Sequence, residues 1–412
     1  MGVKRWLVLL TVGLVLLIFA VTGLSRIDAI WAFLQRLHPV NINPLIEVIL
    51  LAVVGLGGVA LAVFGLNRTI VSAFRRSNPT EVADVVYRHR QRQRGPKVVA
   101  IGGGHGLNTL LRGLKEHTDH ITAIVTVADD GGSSGRLRRD LGILPPGDFR
   151  NCLAALSDAE GLVSQLFQYR FSNDSDLEGH SFGNLYLTAM TAITGGFEAA
   201  LEESSRVLAV RGRVVPSTLA QVTLGAEVLA PEQAPGEGDS RIRQVQGESN
   251  IGHVRGRIQR VYLQPADARA YPEAIRAILD ADLIVIGPGS LYTSVLPNLL
   301  VHDLTEALRS ARAQKIYVCN VATQPGETSG YTVTDHIDTL VSHVGRDVIS
   351  VVLANDRIIE DRPLGGSAEW VQPPAAPAPW LRLVLRDLVD REHPWRHDAH
   401  KLAAALIELI ET

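Results

Sequence analysis

The feature that most constrains the fold is a recurring local pattern in which a short apolar run stops at a glycine-rich or polar turn and a helical pattern follows. LysValValAlaIle (Lys97 to Ile101) runs into three glycines, with a helical pattern from near Leu107. Ile121 to Val127, Leu283 to Ile286, Ile316 to Val318 and Val348 to Leu353 are further apolar runs bounded by turns. Helix-like segments such as Pro272 to Leu279 and Leu304 to Ala311 lie between them. A strand apolar along its whole length has both faces buried, and strands alternating with helices build a parallel sheet covered on both sides. The expected class is therefore α/β with a mostly parallel sheet over residues 97–371. From Arg213 to Leu263 the pattern changes to shorter alternating runs, which predict a β-rich insertion. The Pro-rich stretch Pro373 to Pro379 opens a C-terminal segment, 372–412, in which Asp398 is placed to cap a helix running to about Glu411.

The N-terminal end reads differently. Trp6 to Leu24 and Val48 to Leu66 are uncharged, each about 19 residues long, which matches a hydrocarbon core ~30 Å thick. Residues 1–70 are expected to form a transmembrane hairpin of two helices. Lys4 and Arg5 precede it and Arg68, Arg75 and Arg76 follow, with only Arg26 and Arg36 between, so both ends should lie inside. Gly55, Gly58 and Ala62 have the spacing of a close helix contact, within the hairpin or in a homo-oligomer. Residues 71–96 read as a basic juxtamembrane linker carrying Arg88, Arg90, Arg92 and Arg94.

Composition narrows the function classes. With 40 basic and 43 acidic residues among 412, the net charge of -3 gives no global attraction to polyanions, so nucleic acid is not an expected partner. Cys152 and Cys319 sit in apolar settings with no neighbouring His or Lys to stabilise a thiolate, and read as reduced core thiols.

The polar residues concentrate in the turns after the strands. In Ile101 to Gly106 the backbone of Gly102, Gly103, Gly104 and Gly106, with His105 among them, must turn tightly and let phosphate oxygens approach N–H groups at a helix start. AlaAspAspGlyGlySerSerGlyArg (Ala128 to Arg136) sets Asp129 and Asp130 beside the hydroxyls of Ser133 and Ser134, suited to a ribose hydroxyl or to a divalent cation such as Mg²⁺ at a diphosphate. ProProGlyAspPheArgAsn (Pro145 to Asn151) offers Asp148 as a helix cap. Arg150, with Asn151 beside it, is unfavourable in a first helical turn unless an anion is near. In GlyHisSerPheGlyAsnLeu (Gly179 to Leu185), His180 and Asn184 are within reach of a base, a sugar or metal-bound water, while Ser181 suits a cap. A second glycine turn (Ile286 to Ser294) contributes Gly287, Gly289, Ser290 and Thr293, and Asn320 opens a further polar loop. Two such turns at the carboxyl ends of one sheet make a two-sided phosphate cradle. His336 and His343 lack a third partner at metal spacing and read as core or solvated residues.

Taken in order, IleGlyGlyGlyHisGlyLeu, ValAlaAspAspGlyGlySerSerGlyArgLeuArg, ProProGlyAspPheArgAsnCysLeuAlaAlaLeuSer, GlyHisSerPheGlyAsnLeu, IleGlyProGlySerLeuTyrThrSer and AsnValAlaThrGlnProGlyGluThr resemble the YvcK family of CofD-like proteins, also called gluconeogenesis factors. The resemblance covers Val98 to about Asn355. It implies a Rossmann-like CofD fold, UDP-sugar ligands such as UDP-N-acetylglucosamine, and a bacterial role in carbon metabolism, cell-wall homeostasis and cell shape. It also places metal and phosphate positions at Asp129 and Asp130, Gly102 to Gly106 and Gly287 to Ser290. Related CofD enzymes transfer a phospholactyl group from a guanosine diphosphate-linked donor to a deazaflavin alcohol with Mg²⁺. His105 stands where many relatives carry threonine, and the apolar N-terminal runs are absent from compact members. The leading expectation is a non-catalytic nucleotide-sugar-binding regulator with its soluble domain on the cytoplasmic side of a bacterial membrane. The alternative is a Mg²⁺-dependent transferase of the 2-phospho-L-lactate type.

Overall fold

In the computed structural model, seven strands form one parallel sheet in the order β10-β9-β8-β7-β1-β2-β3. These are β1 Val98–Gly102, β2 Ile121–Val125, β3 Arg213–Pro216, β7 Leu283–Ile286, β8 Gln314–Val318, β9 Val351–Asn355 and β10 Arg382–Arg386. The described residues are 2–24, 44–74, 87, 90–158, 160–172, 176–230, 242–254, 256–359, 367–374 and 378–411. Every residue of β1, β2, β7 and β9 is buried, as uninterrupted apolar runs covered on two faces require. The helix Gly104–Leu114 shows how the faces are covered. Leu107, Leu110, Leu111 and Leu114 recur at helical spacing and are all buried.

The expected β-rich insertion is present, with a later boundary. β3 joins the edge of the parallel sheet beside β2, with Val214 opposite Ala123. The insertion proper is a three-stranded antiparallel sheet, ordered β5-β4-β6, made of β4 Thr223–Leu229, β5 Ile242–Gln246 and β6 Arg257–Gln264. The segments that lead into and out of it meet at a bridge between Thr218 and Ala270. Residues 231–241, inside this region, lie outside the described residues.

The C-terminal segment also differs from expectation, because it belongs to the domain. β10 pairs with β9, and the helix Ala399–Glu411 packs against Gly104–Leu114, putting Leu402, Leu406 and Leu409 into the same core as the sheet. The Oδ1 of Asp398 accepts the His400 and Lys401 N–H groups at 2.9 Å each, so it caps this helix as the sequence suggested.

Residues Met1–His89 form a separate unit. Helices Gly2–Leu24 and Pro44–Phe74 pack antiparallel, with Trp6 beside Gly65 and Gly13 beside Gly55. The small residues at Gly55 and Ala62 thus serve an intramolecular contact. One helix, not two, is long and apolar enough to cross a membrane: Val48–Leu66, with mean hydropathy 2.6. The apolar stretch of the first helix, Trp6–Val21, is shorter, so a hairpin of two spans is not supported. Arg26, Arg36, Arg75, Arg76 and Arg88, on which the orientation and the linker reading rested, lie outside the described residues.

Docking of the C-terminal helix predicts that Leu406→Ala lowers the stability of the whole sheet domain by about 2–5 kcal/mol, the usual cost of such a core truncation. Denaturant titration should show one shifted transition. An unshifted main transition would mean that the C-terminal segment folds apart from the sheet.

Candidate functional site

The strand order reverses between β1 and β7. The turns that follow them therefore open into one crevice beyond the carboxyl ends of the strands. The two turns press on each other. A Cβ on Gly106 would lie 2.4 Å from the Pro288 carbonyl oxygen, so only glycine permits this approach. The Gly287 N–H donates to the Ile101 carbonyl at 2.8 Å, and Asn298 Nδ2 donates to the carbonyls of Gly102 (3.1 Å) and Ser294 (2.8 Å). Asn320 clamps the second turn from β8, its Nδ2 donating to the Gly289 carbonyl at 2.9 Å and its Oδ1 accepting the Gly289 N–H at 3.3 Å. Gly104 starts its helix at φ +61°, a left-handed conformation that favours glycine, and lines the opening.

The resulting crevice has a volume of about 780 Å³. Gly103, Gly104, His105 and Gly106 line it from one turn, and Gly289, Ser290 and Thr293 from the other, with Asn320 between. Gly102 and Gly287 shape the turns without lining the space.

One wall is acidic. Asp129 lines it, its Oδ1 accepting the Gly131 N–H at 2.9 Å, and burial pushes its carboxyl up. Asp130 does not share this wall. Its Oδ1 accepts the Ser249 N–H of the insertion at 2.9 Å, so the two neighbouring aspartates, expected to act together, are engaged by different backbone partners. Asp148 takes the second place. It lies within the first turn of the helix Gly147–Leu156 and accepts the Gly104 N–H instead of capping its own helix. Burial, reinforced by Asp129, pushes it to about 6. Glu248, carried in by the insertion, is pushed to about 8 by burial and then by Asp129, Asp130, Glu327 and Asp148. Glu327 is raised to about 7 by burial. One of its oxygens accepts from Thr293 Oγ1 at 3.2 Å and the other, buried, has no partner. Among the described residues no cation pairs with any of these four carboxyls. None of them joins a group of three or more His, Cys, Asp or Glu placed to hold a metal by itself.

The opposite rim carries Trp395, Arg396 and His397 from the turn before the C-terminal helix. His397 is buried with Nε2 3.1 Å from the Cys319 carbonyl, and burial lowers it to about 4, so it is neutral and donates there. His105 is lowered by burial and then by Arg396, Arg150 and Arg112, so its imidazole is also neutral near pH 7.

Six other expected residues lie off the crevice, in a network behind the Asp129 turn. Ser133 Oγ is 2.9 Å from His180 Nδ1 and accepts from Asn184 Nδ2 at 3.0 Å, which also reaches Ser134 Oγ at 3.5 Å. Arg150 donates to Ser181 Oγ at 2.5 Å and to Asn151 Oδ1 at 3.0 Å. Ser181 caps the helix Phe182–Thr194, the structural role read for it.

Glu248, Glu327, Trp395 and Arg396 were not expected at the site. Glu327 stands in the motif that begins at Asn320. The Trp395–Arg396 pair is an aromatic and cationic cluster that could have been noticed. Nothing local marks Glu248.

A carboxyl raised on folding holds its proton more tightly in the folded state, so its stabilising contribution is complete below about pH 4 and is lost as pH rises through its folded pKa. For Glu248 that window runs from its ordinary value of 4.5 to about 8. Glu248→Gln should therefore raise the melting temperature of the ligand-free protein at about pH 9 and have little effect at about pH 4. A variant no more stable than the parent at the higher pH would show that Glu248 does not carry this strain.

Several known proteins are similar to this chain. The family described as "2-phospho-L-lactate transferase CofD" matches residues 98–412. The gluconeogenesis factor of Bacillus subtilis is 49% identical over 328 residues, which is 77% of this chain and 98% of that protein. A Nostoc relative is 45% identical over 425 residues, 99% of this chain and 90% of its own length. The crystal structure of a UPF0052 family member from Bacillus halodurans aligns with a TM-score of 0.69 and 44% identity, over 76% of this chain and 99% of that one. With the fold, the paired glycine turns and these relatives in agreement, the chain belongs to the CofD family, as a YvcK-type member among the gluconeogenesis factors.

Proposed function

We propose that the crevice binds a nucleotide sugar of the UDP-N-acetylglucosamine type, and that its occupancy regulates the link between carbon metabolism, cell-wall homeostasis and cell shape. The observation that carries this reading is the pair of interlocked glycine turns at the strand-order reversal. Gly103, Gly104 and Gly106 line the space from one side and Gly289 and Ser290 from the other, and side-chain-free backbone lets phosphate oxygens approach closely, as a diphosphate requires. The volume suits a ligand of that size. Carboxyls along one wall suit sugar or ribose hydroxyls, and Trp395 and Arg396 at the rim offer an aromatic face and a cation.

The transferase reading gains one observation of its own. Asp148, Glu327 and Glu248, at about 6, 7 and 8, have the acidities of general acids and bases working near neutral pH. The donor set also fits Mg²⁺, which is commonly held by one or two carboxylates together with ligand phosphates and waters. Asp129 and Asp148 are the residues that would hold it, and the ion would offset charge on the diphosphate. We favour the regulator because the acidic groups explain hydroxyl recognition without a second substrate. The apolar helix Val48–Leu66 is read as the membrane attachment, and its residues Leu50, Val53, Leu61 and Phe64 expose their side chains as a lipid-facing surface would.

Calorimetric titration of the full chain with UDP-N-acetylglucosamine and with a guanosine diphosphate-linked donor, with and without Mg²⁺, tests the reading. Binding of the first without its consumption is expected. Gly104→Val, forcing a β-branched residue to φ +61°, should weaken it at least tenfold. Asp129→Asn should cost about 1–3 kcal/mol of affinity, with no turnover to lose. Mg²⁺-dependent consumption of the donor, removed by Asp129→Asn, would instead establish the transferase.

A further inference from the structure

We propose that Arg136, Arg150 and Arg170, gathered around the turn Glu178–Ser181, form a second anion site that takes a phosphate monoester, apart from the glycine-turn crevice. The three guanidinium groups come from separate elements and meet on four consecutive residues. Arg136 Nη2 donates to the Glu178 carbonyl at 2.8 Å, Arg170 Nη1 to the Gly179 carbonyl at 2.9 Å, and Arg150 Nη1 to Ser181 Oγ at 2.5 Å. Arg170 and Ser181 are also paired through their backbones, which fixes Arg170 beside the turn. None of the three lines the crevice.

Arg150 supplies the observation that a loop staple does not explain. It is 6% exposed, and its Nε is buried without a partner. A guanidinium stays charged in proteins and is normally buried only against a carboxylate or phosphate. Here, among the described residues, none of the three arginines has a carboxylate within ion-pair distance. Burial, and then the charge of Arg170, lowers Arg150 to about 10, so two like charges are held near each other without an anion between them. The acidic groups in the vicinity are Asp140, Asp148, Asp176 and Glu178. Asp148 and Asp129 act on Arg150 only at longer range, and Asp140 acts on His180. Asn184, also buried, leaves its Oδ1 unpartnered and holds Ser133, whose hydroxyl meets His180 Nδ1.

Several guanidinium groups favour a doubly charged anion with three free oxygens over a monovalent carboxylate, because each planar fork can engage two acceptors. A phosphate monoester has that charge and geometry. Arg170 is exposed and Arg136 half-buried, so the site opens to solvent on their side with Arg150 at its base. A protein with both sites reads two ligands: one in the crevice and a phosphorylated metabolite here.

Inorganic phosphate is the probe, titrated into the full chain in detergent with acetate as the monovalent control. Phosphate should bind whether or not UDP-N-acetylglucosamine is present at saturation. Arg170→Gln and Arg136→Gln should each weaken it at least fivefold, Arg150→Met at least tenfold, and Gly104→Val should leave it unchanged. The Arg170→Gln and Arg136→Gln variants decide the matter if Arg150→Met fails to fold. Displacement of phosphate by the nucleotide sugar, its loss in Gly104→Val, equal binding of acetate, no binding at millimolar concentration, or indifference to Arg170→Gln would each overturn the site. The result stands apart from the nucleotide-sugar reading, because phosphate binding and its arginine dependence are measured without that ligand as well.

Discussion

The contact between the two glycine turns governs the rest of the molecule. β1 and β7 are neighbours, and the chain segments leaving them pass at van der Waals distance where Gly106 lies against the Pro288 carbonyl. Asn298 and Asn320 then spend their amides on the carbonyls and N–H of those turns, replacing bonds that a regular helix or strand would have made internally. With the turns locked, residues of both line one space and its shape is set before anything enters it.

The acidic wall is the counterpart of that constraint. Asp148 reaches across to the Gly104 N–H, tying the third motif to the first turn, and in doing so brings a carboxyl beside Asp129. Glu248 and Glu327 arrive from elements far away in sequence and add like charge. Burial raises the pKa of both, and for Glu248 the charges of Asp129, Asp130, Glu327 and Asp148 add to it. A ligand that brings hydroxyl donors or a divalent cation relieves that repulsion, so binding and local stability are coupled through the same groups.

The parts of this arrangement that the sequence made legible are those encoded within a few residues. Wholly apolar strands ending in glycine announce a parallel sheet and phosphate turns because side-chain periodicity and backbone freedom are local properties. The errors came from longer range. Arg213 to Pro216 has the same short β-branched look as the insertion, and only pairing with β2 assigns it to the main sheet. Arg382 to Arg386 follows prolines and alternates exposed and buried residues, so it read as tail, whereas an edge strand has that alternation for a physical reason. Trp6 to Leu24 looked equivalent to Val48 to Leu66 on charge alone, and its shorter apolar core separates them.

The divergence of Asp129 and Asp130 follows from the same distinction. Outside helices, consecutive side chains of an extended segment point to opposite sides, so adjacent carboxylates are poorly placed to share one ion unless a turn folds them together. Here the turn begins one residue later, at Gly131, whose N–H is taken by Asp129. Asp130 is left facing the insertion, where it accepts the Ser249 N–H next to Glu248. One aspartate thus contacts whatever fills the crevice, and its neighbour holds the element that delivers Glu248 to the same wall. A displacement of this loop by ligand would be felt at Ser249 through one hydrogen bond. The short helix Glu248–Ile251 is thereby tied to the Asp129 turn by that bond.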